Sequence, residues 1–186
     1  MVSALENRIS VAQFLERDDF EEGYIYELIN GEIMKRTSPN VDHQETSMML
    51  STFMNLHIMQ NKLGRLFAAP TDVYLNEFSL VVPDLVFVSN NKSEIIHERR
   101  CVKGVPDLIV EILSKGTQGV DRGKKMRWYK KFGVHEYWIV NPREQTVEVY
   151  ELQNGDYEMV SYAAETGIVD STVLTDFSLD VSTIFS

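Results

Sequence analysis

The sequence predicts one α/β domain over residues 1–186, a mixed β-sheet flanked by helices, and three observations predict it. Residues 82–89 and 106–114 are nearly continuous apolar runs of strand length, as expected of central strands covered on both faces. Residues 42–62 and 120–132 have helical character, the second closed by Gly133 at the usual position after a helix. The order helix, hairpin, helix, strands, helix, strands then interleaves the two kinds of element, which favours a sheet with helices packed on it. A chain of 186 residues suits one domain with a substantial core and is short for two.

In chain order, residues 10–20 read as a short helix, with Ser10 and Gln13 at capping-box spacing. Residues 24–36 read as a hairpin turning at Asn30-Gly31, because both positions of a tight two-residue turn need positive φ. The helix over 42–62 places Met49, Phe53, Leu56 and Met59 at helical spacing as core packing, with Gly64 ending it. Strands follow at 65–69, 72–75, 82–89 and 106–114. After the helix over 120–132 come strands at 136–140, 146–152 and 157–162, the last two turning at Asn154-Gly155.

Composition narrows the class. Apolar residues make up 44% and charged residues 25%, as in ordinary globular proteins. No apolar run approaches the roughly 18 residues that span a bilayer, and the first eight residues lack the pattern of a secretory signal. Cys101 is the single cysteine, so no internal disulfide forms and a reducing, cytoplasmic setting is expected. The net charge of −10 is unusual for a nucleic-acid-binding protein. Against it stands one basic cluster, Arg122, Lys124, Lys125, Arg127, Lys130 and Lys131, within ten residues.

Glu111 is the chemical anomaly, a carboxylate inside Leu108-Ile-Val-Glu-Ile-Leu113, where charge is costly unless paired or metal-bound. An ion-paired or edge-facing glutamate is the bland alternative. Asp84 opens the other apolar strand after a proline and could meet Glu111 from a neighbouring strand; Asp107 also follows a proline. Asp107 and Glu111, however, lie four residues apart on one strand, roughly 13 Å, too far to share one ion. On a helical wheel at about 100° per residue, Met126, Trp128, Tyr129 and Phe132 mark the apolar arc, and Lys125 falls near its middle with Asp121 beside it. Lys124, Arg127, Lys130 and Lys131 fall opposite, as a solvated face or as nucleic-acid contacts. Two carboxylates suited to a hard cation and a lysine facing inward fit phosphodiester hydrolysis. A phosphate loop at Gly119-Val-Asp-Arg-Gly-Lys-Lys125 is short and lacks the following Ser or Thr. A thiol nucleophile at Cys101 with His97 lacks an orienting group, and the four histidines have no zinc spacing with cysteine.

Several ordered pieces then carry a resemblance across residues 24–150. They are Tyr26-Glu-Leu-Ile-Asn-Gly-Glu32, Ser38-Pro39 with His43, Ala69-Pro-Thr-Asp-Val73, Val82-Pro-Asp-Leu85 and Pro106-Asp-Leu-Ile-Val-Glu-Ile-Leu-Ser114. Asp121 with Lys125 and Tyr129, and Gly133-Val-His-Glu-Tyr-Trp-Ile-Val140, complete the set. The chain resembles the Uma-two family of endonucleases within the restriction-endonuclease-like PD-(D/E)-x-K superfamily. The resemblance implies a restriction-endonuclease-like fold, with Asp84 and Glu111 as the two metal-binding acids and Glu27 as an additional acid. The superfamily lysine normally stands two residues after the second acid, where this chain has Leu113. The family places it on the following helix instead, and Lys125 matches that place. His43, Asp121 and Tyr129 match accessory positions. The implied activity is Mg²⁺- or Mn²⁺-dependent cleavage of DNA by a cytoplasmic homodimer, with no membrane partner. The alternative is an inactive nucleic-acid-binding or protein-interaction module that keeps the fold.

Overall fold

The computed structural model describes residues 8–114 and 120–185, the side chains of residues 120 and 121 excepted. Helix α1 (Val11–Leu15) precedes the hairpin β1 (Tyr24–Ile29) and β2 (Glu32–Thr37), then the long helix α2 (Val41–Asn61). Strands β3 (Gly64–Ala68), β4 (Val73–Asn76), β5 (Ser79–Val81), β6 (Leu85–Ser89), β7 (Ile96–His97), β8 (Cys101–Lys103) and β9 (Leu108–Ile112) follow. A π-helical turn (Val120–Lys125) runs directly into α3 (Met126–Phe132). Then come β10 (Glu136–Asn141), β11 (Thr146–Gln153), β12 (Asp156–Ala164), β13 (Ile168–Asp170) and β14 (Ser178–Asp180).

The described strands form two six-stranded sheets and a two-stranded ribbon. The larger sheet, in the order β12-β11-β10-β9-β6-β3, is antiparallel except where β9 and β10 run parallel. The second runs β2-β1-β5-β4-β8-β7. Side chains on a strand alternate between faces, and here each face of the larger sheet has its own cover. Leu85, Phe87, Leu108, Val110 and Trp138 pack under Leu50, Met54 and Ile58 of α2. Val86, Val88, Ile109, Tyr137 and Ile139 pack against Tyr129 of α3 and Ile29, Val73 and Val81 of the second sheet. By alternation, positions 84 and 111 belong to this second layer, between the sheets and α3.

Local chemistry explains most element boundaries. Ser10 and Gln13 form a reciprocal capping box, but α1 stops at Leu15, because the next turn offers only Glu16, Arg17, Asp18 and Asp19. Phe20 then returns to stack on Tyr26 and to meet the Phe14 ring at a tilt. Asn30 and Gly31 adopt φ of 54° and 80°, and the two-residue turn fixes Ile29 opposite Glu32. The run at 82–89 is broken at Val82-Pro83-Asp84, where proline removes a ladder donor and β6 starts only at Leu85.

Two expectations are corrected. The buried stripe of α2 is His43, Thr46, Leu50, Met54 and Ile58; Met49 and Phe53 pack half-buried beside it as expected, while Leu56 and Met59 are exposed. Apolar residues surround this helix, so spacing alone could not choose the face. Lys62, not Gly64, takes the left-handed position that ends α2. Gly64 instead opens β3 where it passes so close to β6 that a side chain would meet the Val88 carbonyl oxygen.

Glu136, fully buried on β10, fastens the C-terminal segment. It accepts hydrogen bonds from Trp138 Nε1, Ser171 Oγ, Thr172 N and Oγ1, and Val173 N, at 2.5–3.0 Å. Five donors saturate one carboxylate, so its charge is stabilised by the protein alone.

The tight approach at Gly64 is testable. Gly64→Ala puts a methyl group against backbone, 2.8 Å from the Ser89 Cα, and should cost about 1–3 kcal/mol through overpacking. Urea unfolding should show a lower midpoint at unchanged slope; an unchanged midpoint would mean that β3 and β6 can part without cost.

Candidate active site

The pairing of β6 with β9 sets the site. Leu85 stands opposite Val110, so one further step of the same antiparallel register puts Asp84 level with Glu111. Both side chains enter the layer beneath α3, and both are almost wholly buried, at 1% and 2% exposure. Glu27 reaches the same layer from β1 on the other sheet, and Lys125 from the end of the π-helical turn.

Lys125 joins the two sheets. Its ammonium donates to Glu111 Oε1 at 2.9 Å and lies 3.0 Å from Glu27 Oε2 and 3.2 Å from Glu27 Oε1. Tyr129, one turn further along the helix, donates its hydroxyl to Glu111 Oε1 at 2.7 Å. Burial, then the charges of Glu111 and Glu27, hold the Tyr129 phenol well above its ordinary pKa, so it stays a neutral donor. Glu27 Oε1 also accepts the Val82 N–H at 2.8 Å, which ties the acid to the chain just before Asp84.

Asp84 is held from three sides. Its Oδ2 accepts the Ile112 N–H at 2.7 Å and faces His43 Nε2 at 3.1 Å. Asn40 caps α2 by accepting the His43 N–H, which places His43 in the first turn facing Asp84. Arg36 Nη1 lies 3.7 Å from Asp84 Oδ1, and its Nη2 donates to the Val82 carbonyl at 2.7 Å. Burial raises the Asp84 pKa; hydrogen bond and charge from His43, the Arg36 guanidinium and the Ile112 N–H outweigh it and leave the carboxyl below its ordinary 3.8.

One oxygen separates Asp84 from a structural carboxylate. Asp84 Oδ1 is buried and accepts no hydrogen bond among the described residues, whereas Glu136 has five donors. A buried acceptor without a donor is costly unless an ion or water serves it. A hard divalent cation such as Mg²⁺ takes oxygen ligands and keeps several waters, so Asp84 with Glu111 fits it as a two-carboxylate site. Among the described residues no three His, Cys, Asp or Glu side chains gather at metal-binding spacing, so any ion here draws its remaining ligands from solvent, backbone or substrate. Beside the acids a narrow cleft of about 10 Å³, lined by Arg36, His43, Glu111 and Ser114 among others, is close to the size of one water.

Of the residues singled out in the sequence, Asp84, Glu111, Lys125, Glu27, His43 and Tyr129 come together in this cluster. The side chain of Asp121 lies outside the described residues. Lys124, Arg127 and Lys131 surround half-buried Trp128 on the outer side of α3, while Lys130 pairs with Asp156 at 2.8 Å. Asp107 lies at the far end of β9, bound to Lys92 at 2.9 Å and to the Ser89 N–H. Leu113 is buried in the apolar layer. Sequence reasoning missed Arg36, although the signal was present. The Asn30-Gly31 turn pairs Glu27 with Met34, which makes Arg36 the diagonal same-face neighbour of Glu27.

The profile of the Uma-two family, described as a "putative restriction endonuclease", matches residues 11–182. An uncharacterised protein of Synechocystis sp. is 24% identical over 153 residues, covering 81% of this chain and 85% of that protein. The crystal structure of a "putative nuclease" from Anabaena variabilis superposes with a TM-score of 0.76 at 22% identity. It covers 95% of this chain and 97% of its own, and at that identity the likeness speaks for the fold.

The lowered Asp84 pKa has a definite sign in stability. A carboxyl whose folded pKa lies below its unfolded value contributes stability that is present above the unfolded value and lost as pH falls through the folded one. Without divalent ions, the stability gap between the wild type and Asp84→Asn should therefore shrink as pH drops below about 4. Urea unfolding at descending pH measures it; a gap constant down to the acid limit would contradict the assignment.

Proposed function

The chain belongs to the Uma-two family, and from that premise and the buried cluster we propose that it is a divalent-metal-dependent endonuclease hydrolysing phosphodiester bonds in DNA. The observation that carries the reading is Asp84 Oδ1, a buried carboxylate oxygen without a donor, level with Glu111 and next to a buried lysine. Mg²⁺ or Mn²⁺, held by Asp84 and Glu111, would supply charge to the phosphate and lower the pKa of an attacking water.

The chain's own groups have separate duties. His43 and the Ile112 N–H fix the Asp84 carboxylate through Oδ2. Tyr129 and Lys125 fix Glu111 through Oε1. Lys125 is the cation placed to stabilise charge on the nucleophile or the phosphorane-like transition state, and Glu27 anchors it there. Arg36, beside Asp84 and lining the narrow cleft, is a further cation for phosphate oxygens. Local cations on α3 offset the net charge of −10 where a polyanion would approach. Duplex-cutting enzymes often use two sites, one for each strand, and on that analogy the proposal includes a homodimer. The proposal keeps the cytoplasmic setting expected from the single cysteine, Cys101; separately, no described helix is long and apolar enough to cross a membrane.

A second reading has one observation in its favour. Lys125 and Arg36 between them already lie against all three clustered carboxylates, Glu27, Asp84 and Glu111, so the cluster could be stable without an ion in an inactive binding module. Plasmid nicking by purified protein with Mg²⁺ or Mn²⁺ separates the two. The wild type should nick, Asp84→Ala and Glu111→Ala should fall to background, and Lys125→Ala should lose on the order of 10²-fold. A folded wild type that binds DNA but leaves plasmid intact with either metal would favour the inactive module.

A further inference from the structure

The outer side of α3 holds a second feature that the proposed chemistry does not use. A pocket of about 290 Å³ is lined by Lys124, Arg127, Trp128 and Lys131 on one wall and by Ile29, Asn30 and Glu32 of the β1–β2 hairpin on the other. The four residues on the helical wall follow the spacing i, i+3, i+4, i+7, which is one stripe of a helix. Three are cations and the fourth is an indole. Among the described tryptophans, Trp138 is wholly buried, while Trp128 is half-buried, packed against the layer of Tyr129 and Tyr137 and lining the pocket. The Lys131 ammonium lies over the Trp128 ring, 4.6 Å from its centroid, and Lys124 is held at the rim by Glu32 at 3.0 Å.

We propose that this pocket is a subsite for an unpaired nucleotide, its base stacked on Trp128 and its phosphates on Arg127, Lys131 and Lys124. Three features choose this ligand. Cations beside an aromatic face match the alternation of phosphate and base in a single strand. A base stacked on an indole is held more firmly than an ammonium over an exposed ring, so Lys131 can yield the ring and turn to phosphate. The pocket also shares elements with the cluster: its helical wall belongs to the segment that carries Lys125 and Tyr129, and its hairpin wall includes Ile29, two residues from Glu27 on β1. A fully paired duplex presents phosphates but no free base face, and so uses only the cations. This subsite rests on the endonuclease reading for its biological sense, but its binding is separable from cleavage.

The test is fluorescence-anisotropy titration in EDTA with two probes, a short labelled oligodeoxythymidylate and a labelled blunt duplex, so that no cutting occurs. The wild type should bind the single strand with partial quenching of tryptophan emission, and affinity should fall steeply with salt. Trp128→Leu should weaken single-strand binding about tenfold and duplex binding much less. Lys131→Glu, at an exposed position that leaves the core untouched, should weaken both probes and reduce the salt dependence. Single-strand affinity unchanged in both variants would overturn the subsite while leaving the endonuclease reading intact. Equal losses for the two probes in Trp128→Leu would reduce the pocket to a general anion surface and overturn base stacking. No binding of either probe by the wild type would overturn the subsite alone, because EDTA removes the divalent ion on which the endonuclease reading depends.

Discussion

The Lys125 ammonium, held between Glu27 and Glu111, is the interaction on which the rest of the structure depends. Glu27 comes from one sheet, Glu111 from the other, and Lys125 from the segment leading into α3, so a single cation fixes three elements. All three side chains are 2% exposed. Taking such charges out of water costs several kcal/mol per ion, recovered only through good geometry and added hydrogen bonds. Tyr129 and the Val82 N–H supply those bonds. Removing one partner of such a set typically costs about 3–5 kcal/mol, because the remaining charge stays buried. The arrangement is therefore stable only as a whole, and β1, β9 and α3 are positioned to complete it.

The fold contains two kinds of buried carboxylate, and their difference separates structure from chemistry. Glu136 and Glu148 are satisfied within the protein: Glu136 by five donors, Glu148 by both Arg122 nitrogens at 2.6 and 2.7 Å and by the Tyr150 hydroxyl. Asp84 has one oxygen satisfied and one without a donor. Under the proposed function that oxygen, 3.7 Å from Arg36 Nη1, is where an ion would bind. The Arg122–Glu148 pair also bears on the site, since it secures the π-helical turn that delivers Lys125. Turns of this kind are rare in proteins and often occur at functional positions.

How much of this was legible beforehand follows from which forces are local. Turn and cap chemistry acts within a few residues, so the Asn30-Gly31 hairpin and the Ser10–Gln13 box could be read directly. Glu111 stood out because a charge amid Ile and Val has no local excuse, and Lys125 because the helical wheel turned it toward Tyr129. The exposed side of α2 was not legible, since its methionines and leucines surround the helix and only tertiary packing selects a face. Gly64 was misread because its reason is the Val88 backbone, 24 residues away. The short strands β7, β8, β13 and β14 have two or three residues each, too few for periodicity to register. Arg36 lay between these cases, legible only after the hairpin register was combined with the need of Glu27 for a cation.

On the proposed function, Asp84 and Glu111 hold a divalent ion in a cluster whose remaining charges are already paired. Isothermal titration of Mn²⁺ into metal-free protein, without nucleic acid, tests it most directly. The wild type should bind saturably, and binding should be abolished in both Asp84→Asn and Glu111→Gln while each variant remains folded. Saturable binding that survives in both variants would place the ion elsewhere, and no binding to the folded wild type would leave Asp84 Oδ1 without the ligand the account assigns to it.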